Sequence, residues 1–119
     1  MDEVRAAVER YCDAVDRHDV DAAVAAFTDD GLIDCTPPPD GERYEGAVAI
    51  RALFRQLFDD PADERTFEVE ELIVAEDHAV LRWCHRWVDA AGRPGHVRGI
   101  ELLRVRDGKI AEKLAYVKG

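Results

Sequence analysis

Cysteine is scarce in this sequence, and its pattern excludes two kinds of small-protein scaffold. The 119 residues include three cysteines, Cys12, Cys35 and Cys84, and no two of them form a CxxC pair. An odd number of widely spaced cysteines argues against a disulfide framework and a zinc knuckle, and it is typical of a reducing compartment. The sequence has no run of about 18 apolar residues that could cross a bilayer, and its charged N-terminus lacks the apolar stretch of a signal peptide. We therefore expect a cytoplasmic protein that is complete as it stands and makes no contact with a membrane.

Positive charge is also in short supply, since 16 Lys and Arg stand against 26 Asp and Glu, for a net charge of -10. Such a chain repels phosphate backbones, so we expect no nucleic-acid partner. Acidic clusters such as Asp29-Asp30 have no histidines at ligand spacing, and we expect neither a metal nor a cofactor. The composition, 47% hydrophobic and 35% charged, is typical of a globular protein, and the length predicts one domain over residues 1–119.

The N-terminal half shows helical periodicity. Three apolar stripes at a spacing of three and four residues predict three helices, and they span Val4–Val15, Val20–Phe27 and Ile50–Phe58. The first helix is expected over residues 2–17, and Asp19 is the expected N-cap of the second. Gly31 should end the second helical pattern. A short strand over 32–35 and a proline-rich loop then lead to the third helix.

From Thr66 onward the apolar period changes to two, which predicts strands. They are expected near residues 67–70, 79–88, 96–105 and 109–117. Glu76-Asp77 and Asp107-Gly108 mark turns, and the second is a strong hairpin signal. Helices followed by a meander indicate an α+β fold, a curved antiparallel sheet with the three helices packed on its concave face.

Strand alternation places polar side chains among apolar ones on the concave face. The inward sets are Leu81, Trp83, His85 and Trp87 on one strand, and Val97, Gly99, Glu101, Leu103 and Val105 on the next. A carboxyl group in such surroundings needs a partner or becomes neutral. His85 could face Glu101 across the sheet, and Tyr11 could reach either from the first helix. Such a trio could stabilise an enolate and move a proton.

A structural interpretation competes with each of these assignments. Tyr11 could be a core tyrosine with a satisfied hydroxyl, and His85 could serve only as the buried partner of Glu101. The two tryptophans could fill the core or form a cavity wall. The expected ligand-contacting set is Cys35, Phe54, Trp83, Trp87 and Leu103. Within it, the cysteine fits a small buried hydrophobe better than a nucleophile.

Six short segments carry a resemblance to known proteins. They are Arg10-Tyr11, His18-Asp19-Val20-Asp21, Phe27-Thr28-Asp29-Asp30, Gly99-Ile100-Glu101-Leu102-Leu103, Asp107-Gly108-Lys109-Ile110 and Ala115-Tyr116. Together they closely resemble ketosteroid isomerases and SnoaL-like polyketide cyclases of the nuclear transport factor 2-like superfamily. The resemblance spans nearly the whole chain and is weakest over residues 36–78. It implies the cone-shaped fold but no single activity, because this fold hosts isomerases, cyclases, dehydratases and non-enzymes.

The resemblance also implies roles for individual residues. Tyr11 and Glu101 fall on the tyrosine and the protonated acid that form the oxyanion hole of ketosteroid isomerase. The general-base aspartate falls on Cys35, and Asp34 points to the opposite face of its strand. The usual proton acceptor is therefore missing, and His85 becomes the candidate base. We expect an isomerase, lyase or cyclase that moves a proton next to the carbonyl of a small hydrophobic compound.

Two further hypotheses remain open at this stage. In one, the pocket binds a small hydrophobic molecule without turnover, because Cys35 marks a lost base. In the other, the outer sheet face pairs with another chain, and the resemblance implies that the result is a homodimer. Five arginines are expected on that face, namely Arg82, Arg86, Arg98, Arg104 and Arg106.

Overall fold

The computed structural model describes residues 2–37, 39–59 and 66–118, with the backbone alone at Thr66. Within these ranges the chain forms three helices and six strands. They are α1 (Asp2–Asp16), α2 (Val20–Ala25), β1 (Phe27–Asp34), β2 (Arg43–Glu45), α3 (Gly46–Phe58), β3 (Thr66–Ala75), β4 (His78–Val88), β5 (Pro94–Arg106) and β6 (Lys109–Val117). The predicted α+β class and the three helices of the N-terminal half are confirmed. The third helix ends at Phe58, the last residue of its predicted apolar stripe.

One curved sheet of six strands forms the body of the fold, in the order β2-β1-β6-β5-β4-β3. The strands pair antiparallel except β1 and β6, which are parallel. The parallel pair departs from the expected all-antiparallel sheet. It arises because β1 precedes α3 and the meander, so β6 returns beside β1 in the same direction.

Two turns show why the meander reverses where it does. Asp107 and Gly108 have φ angles of 54° and 74°, as a two-residue hairpin turn requires. Glu76 has a φ of 55° at the preceding turn between β3 and β4. The sequence predicted both positions.

The stretch from Phe27 to Gly31 corrects the expected extent of the second helix. Ala26 ends α2, and Phe27 begins β1 rather than closing the helical stripe. The amide of Ile110 donates to the carbonyl of Ala26 at 2.8 Å, and Phe27 pairs with Ile110. Pairing with β6 thus outweighs a helical period that the local sequence alone favours. Gly31 lies inside β1 instead of ending a helix.

The hydrophobic core lies between the helices and the concave face of the sheet. Its fully buried side chains include Val8, Ile33, Ile50, Leu81, Leu103 and Ile110. α1 packs against β3, β4 and β6, and α3 packs against β1 and β2. The cavity described below opens within this layer.

Candidate functional site

A cavity of about 540 Å³ lies between the concave face and the helices α1 and α3. A volume in this range suits a small organic molecule. The side chains that line it are those of Tyr11, Cys12, Val15, Asp16, His18, Cys35, Thr36, Phe54, Leu57, Phe58, Phe67, Trp83, His85, Glu101, Lys113 and Ala115. Tyr11, Glu101 and Lys113 are buried, whereas Asp16, His18 and Leu57 are exposed. The cavity thus has a closed polar end and an end that reaches the surface.

The closed end contains a buried ion pair. The Nζ atom of Lys113 lies 3.1 Å from Oε1 of Glu101, and the two side chains are 9% and 7% exposed. In the β5–β6 register Glu101 stands opposite Ala115 and Lys113 opposite Leu103, so the two charged residues are diagonal neighbours on one face. Burial alone would lower the pKa of Lys113, but the Glu101 carboxylate and Tyr11 raise it above its ordinary value. The ammonium group therefore keeps its charge.

Tyr11 closes this end from α1. The Tyr11 ring packs edge-on against Phe27, with 5.5 Å between the ring centroids. The Lys113 ammonium group lies 5.8 Å from the centroid of the Tyr11 ring. Burial raises the pKa of Tyr11, while the charge of Lys113 and a hydrogen bond to it act in the opposite direction. The phenol therefore stays protonated at neutral pH. Tyr11, Lys113 and Glu101 form one connected polar cluster in an otherwise apolar layer.

Two polar atoms in the cavity wall have no hydrogen-bond partner among the described residues. They are Oε2 of Glu101 and Nε1 of Trp83, and both are buried. The oxygen can only accept a hydrogen bond while the carboxyl group is ionised, and the indole nitrogen can only donate one. A third such atom, Oδ1 of Asp34, belongs to a residue outside the cavity lining.

Aromatic rings build the walls that lead towards the surface. On α3, Phe54 stacks on Phe58 at 5.4 Å, and His18 stacks on Phe58 at 5.1 Å with 8° between the ring planes. On the sheet side, the rings of Phe67 and Trp83 lie 5.3 Å apart. These walls are apolar, so a ligand would be held mainly by burial of apolar surface.

The structure brings six of the eight site residues predicted from the sequence to this cavity. They are Tyr11, Cys35, Phe54, Trp83, His85 and Glu101. Leu103 lies outside the lining because it is fully buried in the core opposite Ala79. Trp87 also lies outside, 37% exposed, with its indole against Gly95.

His85 and Glu101 line the same cavity without facing each other across the sheet. His85 stands opposite Val97, and Glu101 stands opposite Leu81. Glu101 lies four positions after Val97 on β5, which is about 13 Å at roughly 3.3 Å per residue. The expected direct pair is thus replaced by two polar groups at different depths, which one ligand could contact together.

Lys113 is the polar residue that sequence reasoning missed. Strict alternation along β6 groups Lys113 with small residues and puts Ile110, Leu114 and Tyr116 on the apolar face. A bulge at Ala111 interrupts the pairing of β6 with β5, because Ile110 pairs with Val105 and Glu112 pairs with Arg104. A one-residue shift of this kind exchanges the two faces of a strand. Lys113 therefore points inward. The available signal was the pair Ala111 and Ala115, two residues before and two residues after Lys113, whose small side chains leave room for a long one.

The two cysteines of the cavity are protonated at neutral pH. Burial, followed by the charges of Glu101 and Asp16, raises the pKa of Cys12 to about 12. Burial also raises the pKa of Cys35. A thiol in this state is a poor nucleophile and cannot accept a proton.

Metal-ligand clusters and membrane-spanning helices are both absent from the described ranges. Within them, no group of three or more His, Cys, Asp or Glu residues is arranged to hold a metal ion. No helix there is long and apolar enough to span a membrane.

A family model described as a SnoaL-like domain matches residues 8–113. No curated protein matches the chain.

Solved structures with the same fold extend this comparison. A nuclear transport factor 2-like protein of unknown function from Mesorhizobium loti is 34% identical, with a TM-score of 0.83 over 99% of this chain and 93% of its own. A candidate polyketide cyclase from Sinorhizobium meliloti is 26% identical, with a TM-score of 0.72 over 92% of both chains. A candidate ketosteroid isomerase from Kribbella flavida is 18% identical, with a TM-score of 0.82 over 100% of this chain and 80% of its own, and it shows likeness of fold alone.

Proposed function

The chain belongs to the SnoaL-like domain family, and we propose that it is an enzyme that moves a proton next to the carbonyl group of a small hydrophobic compound. One observation carries this proposal: the closed end of an apolar cavity holds a buried, connected cluster of Tyr11, Lys113 and Glu101. Buried charge is unfavourable unless it is paired, and it concentrates at sites that need it for chemistry.

In the proposed reaction the carbonyl oxygen of the substrate lies at the closed end. An ammonium group has three N–H donors; Lys113 uses one on Glu101 and one on Tyr11, which leaves one for the substrate. The Tyr11 hydroxyl is the second donor. Fixed donors of this kind stabilise the negative charge that develops on an enolate oxygen.

Glu101 takes a different role in this proposal from the one that the resemblance implies. A carboxylate that is paired with a lysine cannot donate a hydrogen bond to an oxyanion. We assign the donor role to Lys113, and Glu101 holds that ammonium group in place and charged.

His85 is the proposed proton acceptor. It lines the same cavity and is half-buried, and imidazole is the side chain best suited to take a proton at neutral pH. It would remove a proton from the carbon beside the carbonyl, the C–H electron pair would form the enolate, and the imidazolium would return the proton to carbon.

Exchange of carbon-bound hydrogen in D2O tests the proposal. With 2-tetralone as the probe, proton NMR should show loss of the signals beside the carbonyl faster than in buffer. Tyr11→Phe should reduce the enzymatic rate by about a hundredfold or more, because one oxyanion donor is lost. His85→Gln should reduce it by about 10²- to 10⁴-fold. Trp87→Phe, outside the cavity lining, is the matched control and should keep the wild-type rate.

A second candidate function is binding of a small hydrophobic molecule without turnover. The observation that favours it is Cys35, which stands where the resemblance implies the general-base aspartate and whose raised pKa keeps it protonated. Saturable binding of 2-tetralone with exchange at the buffer rate would select this function over the first.

We also propose a homodimer through the outer sheet face. Ile100 and Tyr116 are 39% and 57% exposed there. Arg82 contacts Glu70 and Glu71 beside them, at 3.4 and 3.3 Å. Such apolar residues within rows of alternating charge suit a self-complementary surface. Light scattering at micromolar concentration should give twice the chain mass, and a clean monomer would refute the dimer.

A cytoplasmic location completes the proposal. Cys12, Cys35 and Cys84 are all free thiols, which persist in reducing compartments. Protein extracted with a thiol-trapping reagent should carry three labels after unfolding without reduction. Fewer labels would contradict a reducing location.

A further inference from the structure

From two unsatisfied atoms in the cavity wall we infer that the ligand carries a hydroxyl group, bound between Trp83 and Glu101. The inference rests on the proposed function only in so far as the cavity binds a small hydrophobic compound. It adds the chemical class of that compound and a second polar subsite, separate from the oxyanion donors.

The first step is burial. Nε1 of Trp83 and Oε2 of Glu101 are both buried, and neither atom has a hydrogen-bond partner among the described residues. Counted as whole residues, Trp83 and Glu101 are each 5% exposed. Leaving a buried polar atom unsatisfied is unfavourable, and it is more so for a charged group. Both side chains line the same cavity, so a bound molecule could satisfy both atoms.

The second step is their placement on the sheet. Trp83 stands opposite Gly99 in the β4–β5 register, and Glu101 follows Gly99 by two residues on the same face. Diagonal neighbours of this kind are about 7–8 Å apart. Gly99 allows the indole to lie against the strand, because a Cβ there would come within 2.7 Å of Cζ2 of Trp83. The two side chains are therefore neighbours in the cavity wall.

The third step is chemical complementarity. The indole nitrogen only donates, and the carboxylate oxygen only accepts. A ketone oxygen could satisfy Trp83 but would repel Glu101. A hydroxyl group donates one hydrogen bond and accepts others through a single atom, so it can satisfy both sides at once. The surrounding rings, including Phe54 and Phe67, call for an apolar body around that hydroxyl.

Binding of three related probes tests the inference by calorimetry. Tetralin has no polar group, 2-tetralone has an acceptor only, and 2-tetralol has a hydroxyl. We expect 2-tetralol to bind on the order of 30-fold more tightly than tetralin, from one neutral and one charge-assisted hydrogen bond. Equal affinity of tetralin and 2-tetralol would overturn the hydroxyl subsite while leaving the proposed function standing. Failure of all three probes to bind would overturn both.

Two tryptophan variants assign the effect to the proposed atoms. Trp83→Phe removes the indole donor but keeps an aromatic ring, and it should lower the preference for 2-tetralol over tetralin by about fivefold. Trp87→Phe is the matched control and should leave the preference unchanged. In the Trp87→Phe protein Trp83 is the sole tryptophan, since the chain has two. Its emission should shift with 2-tetralol and not with tetralin, and equal shifts would count against the inference.

Discussion

Removal of the Lys113 ammonium group should destabilise the fold far more than loss of an ordinary ion pair. Lys113→Met would leave the Glu101 carboxylate, 7% exposed, without its partner. Breaking a buried pair on one side costs about 3–5 kcal/mol, out of a total stability of about 5–15 kcal/mol for a domain. At an m-value of about 1.5 kcal/mol/M, the urea midpoint should fall by roughly 2–3 M.

A second variant separates the pair from the loss of packing. Lys113→Met/Glu101→Leu removes both charges, and replacing a buried pair by apolar side chains is often neutral or stabilising. The double variant should therefore be more stable than Lys113→Met alone, by about 3 kcal/mol or more. Urea unfolding followed by far-UV circular dichroism measures all three proteins.

An exposed pair supplies the matched control. Arg17 and Asp13 form a 2.9 Å contact with side chains 55% and 64% exposed, and pairs of this kind contribute about 0–1 kcal/mol. Arg17→Met should therefore change the midpoint little. If Lys113→Met costs no more than Arg17→Met, the reasoning from burial is wrong.

Three further predictions concern backbone packing and pH. Gly99→Ala should lower the free energy of unfolding in urea by about 1–3 kcal/mol, because a Cβ there would collide with the carbonyl oxygen of Tyr116. In the control Gly95→Ala, the new Cβ meets only the side chain of the exposed Trp87, and the loss of stability should be smaller. Equal losses would contradict this reasoning. Alkaline pH should destabilise the fold, because folding raises the pKa values of Cys12 and Lys113. Their contribution to stability is fully present below the pKa values of the unfolded chain, so the urea midpoint should decline from about pH 9 upward. A midpoint that stays flat to pH 11 would refute the pKa shifts. Alkylation of Cys12 by iodoacetamide, followed by mass spectrometry, should still be accelerating at pH 10 because its pKa is about 12, and a plateau near pH 9 would show an ordinary thiol.

Much of the fold could be predicted from the sequence because its signals are local. Helical spacing identified α1 and α3, and the residues Asp107-Gly108 identified a turn whose positive φ angles suit them. Alternation on β4 and β5 placed Trp83, His85 and Glu101 inward, where they line the cavity. These features depend on neighbours within a few residues.

The errors arose where a distant strand determined the local structure. Phe27 left the helical stripe because β6 pairs with it. The short strand β2 was missed because only its pairing with β1 defines it. His85 and Glu101 share a face, as expected, but their depth in the cavity depends on the register between two strands.

The sequence by itself determined the helices, the meander and a concave face that carries an acid among apolar residues, since each follows from side-chain periodicity. Only the tertiary structure decided that Lys113 is the partner of that acid. A single bulged residue, Ala111, exchanges the faces of β6, and periodicity along one strand carries no record of such a shift. The chemistry of the closed end depends on that exchange, because it brings a buried ammonium group beside Glu101 and Tyr11.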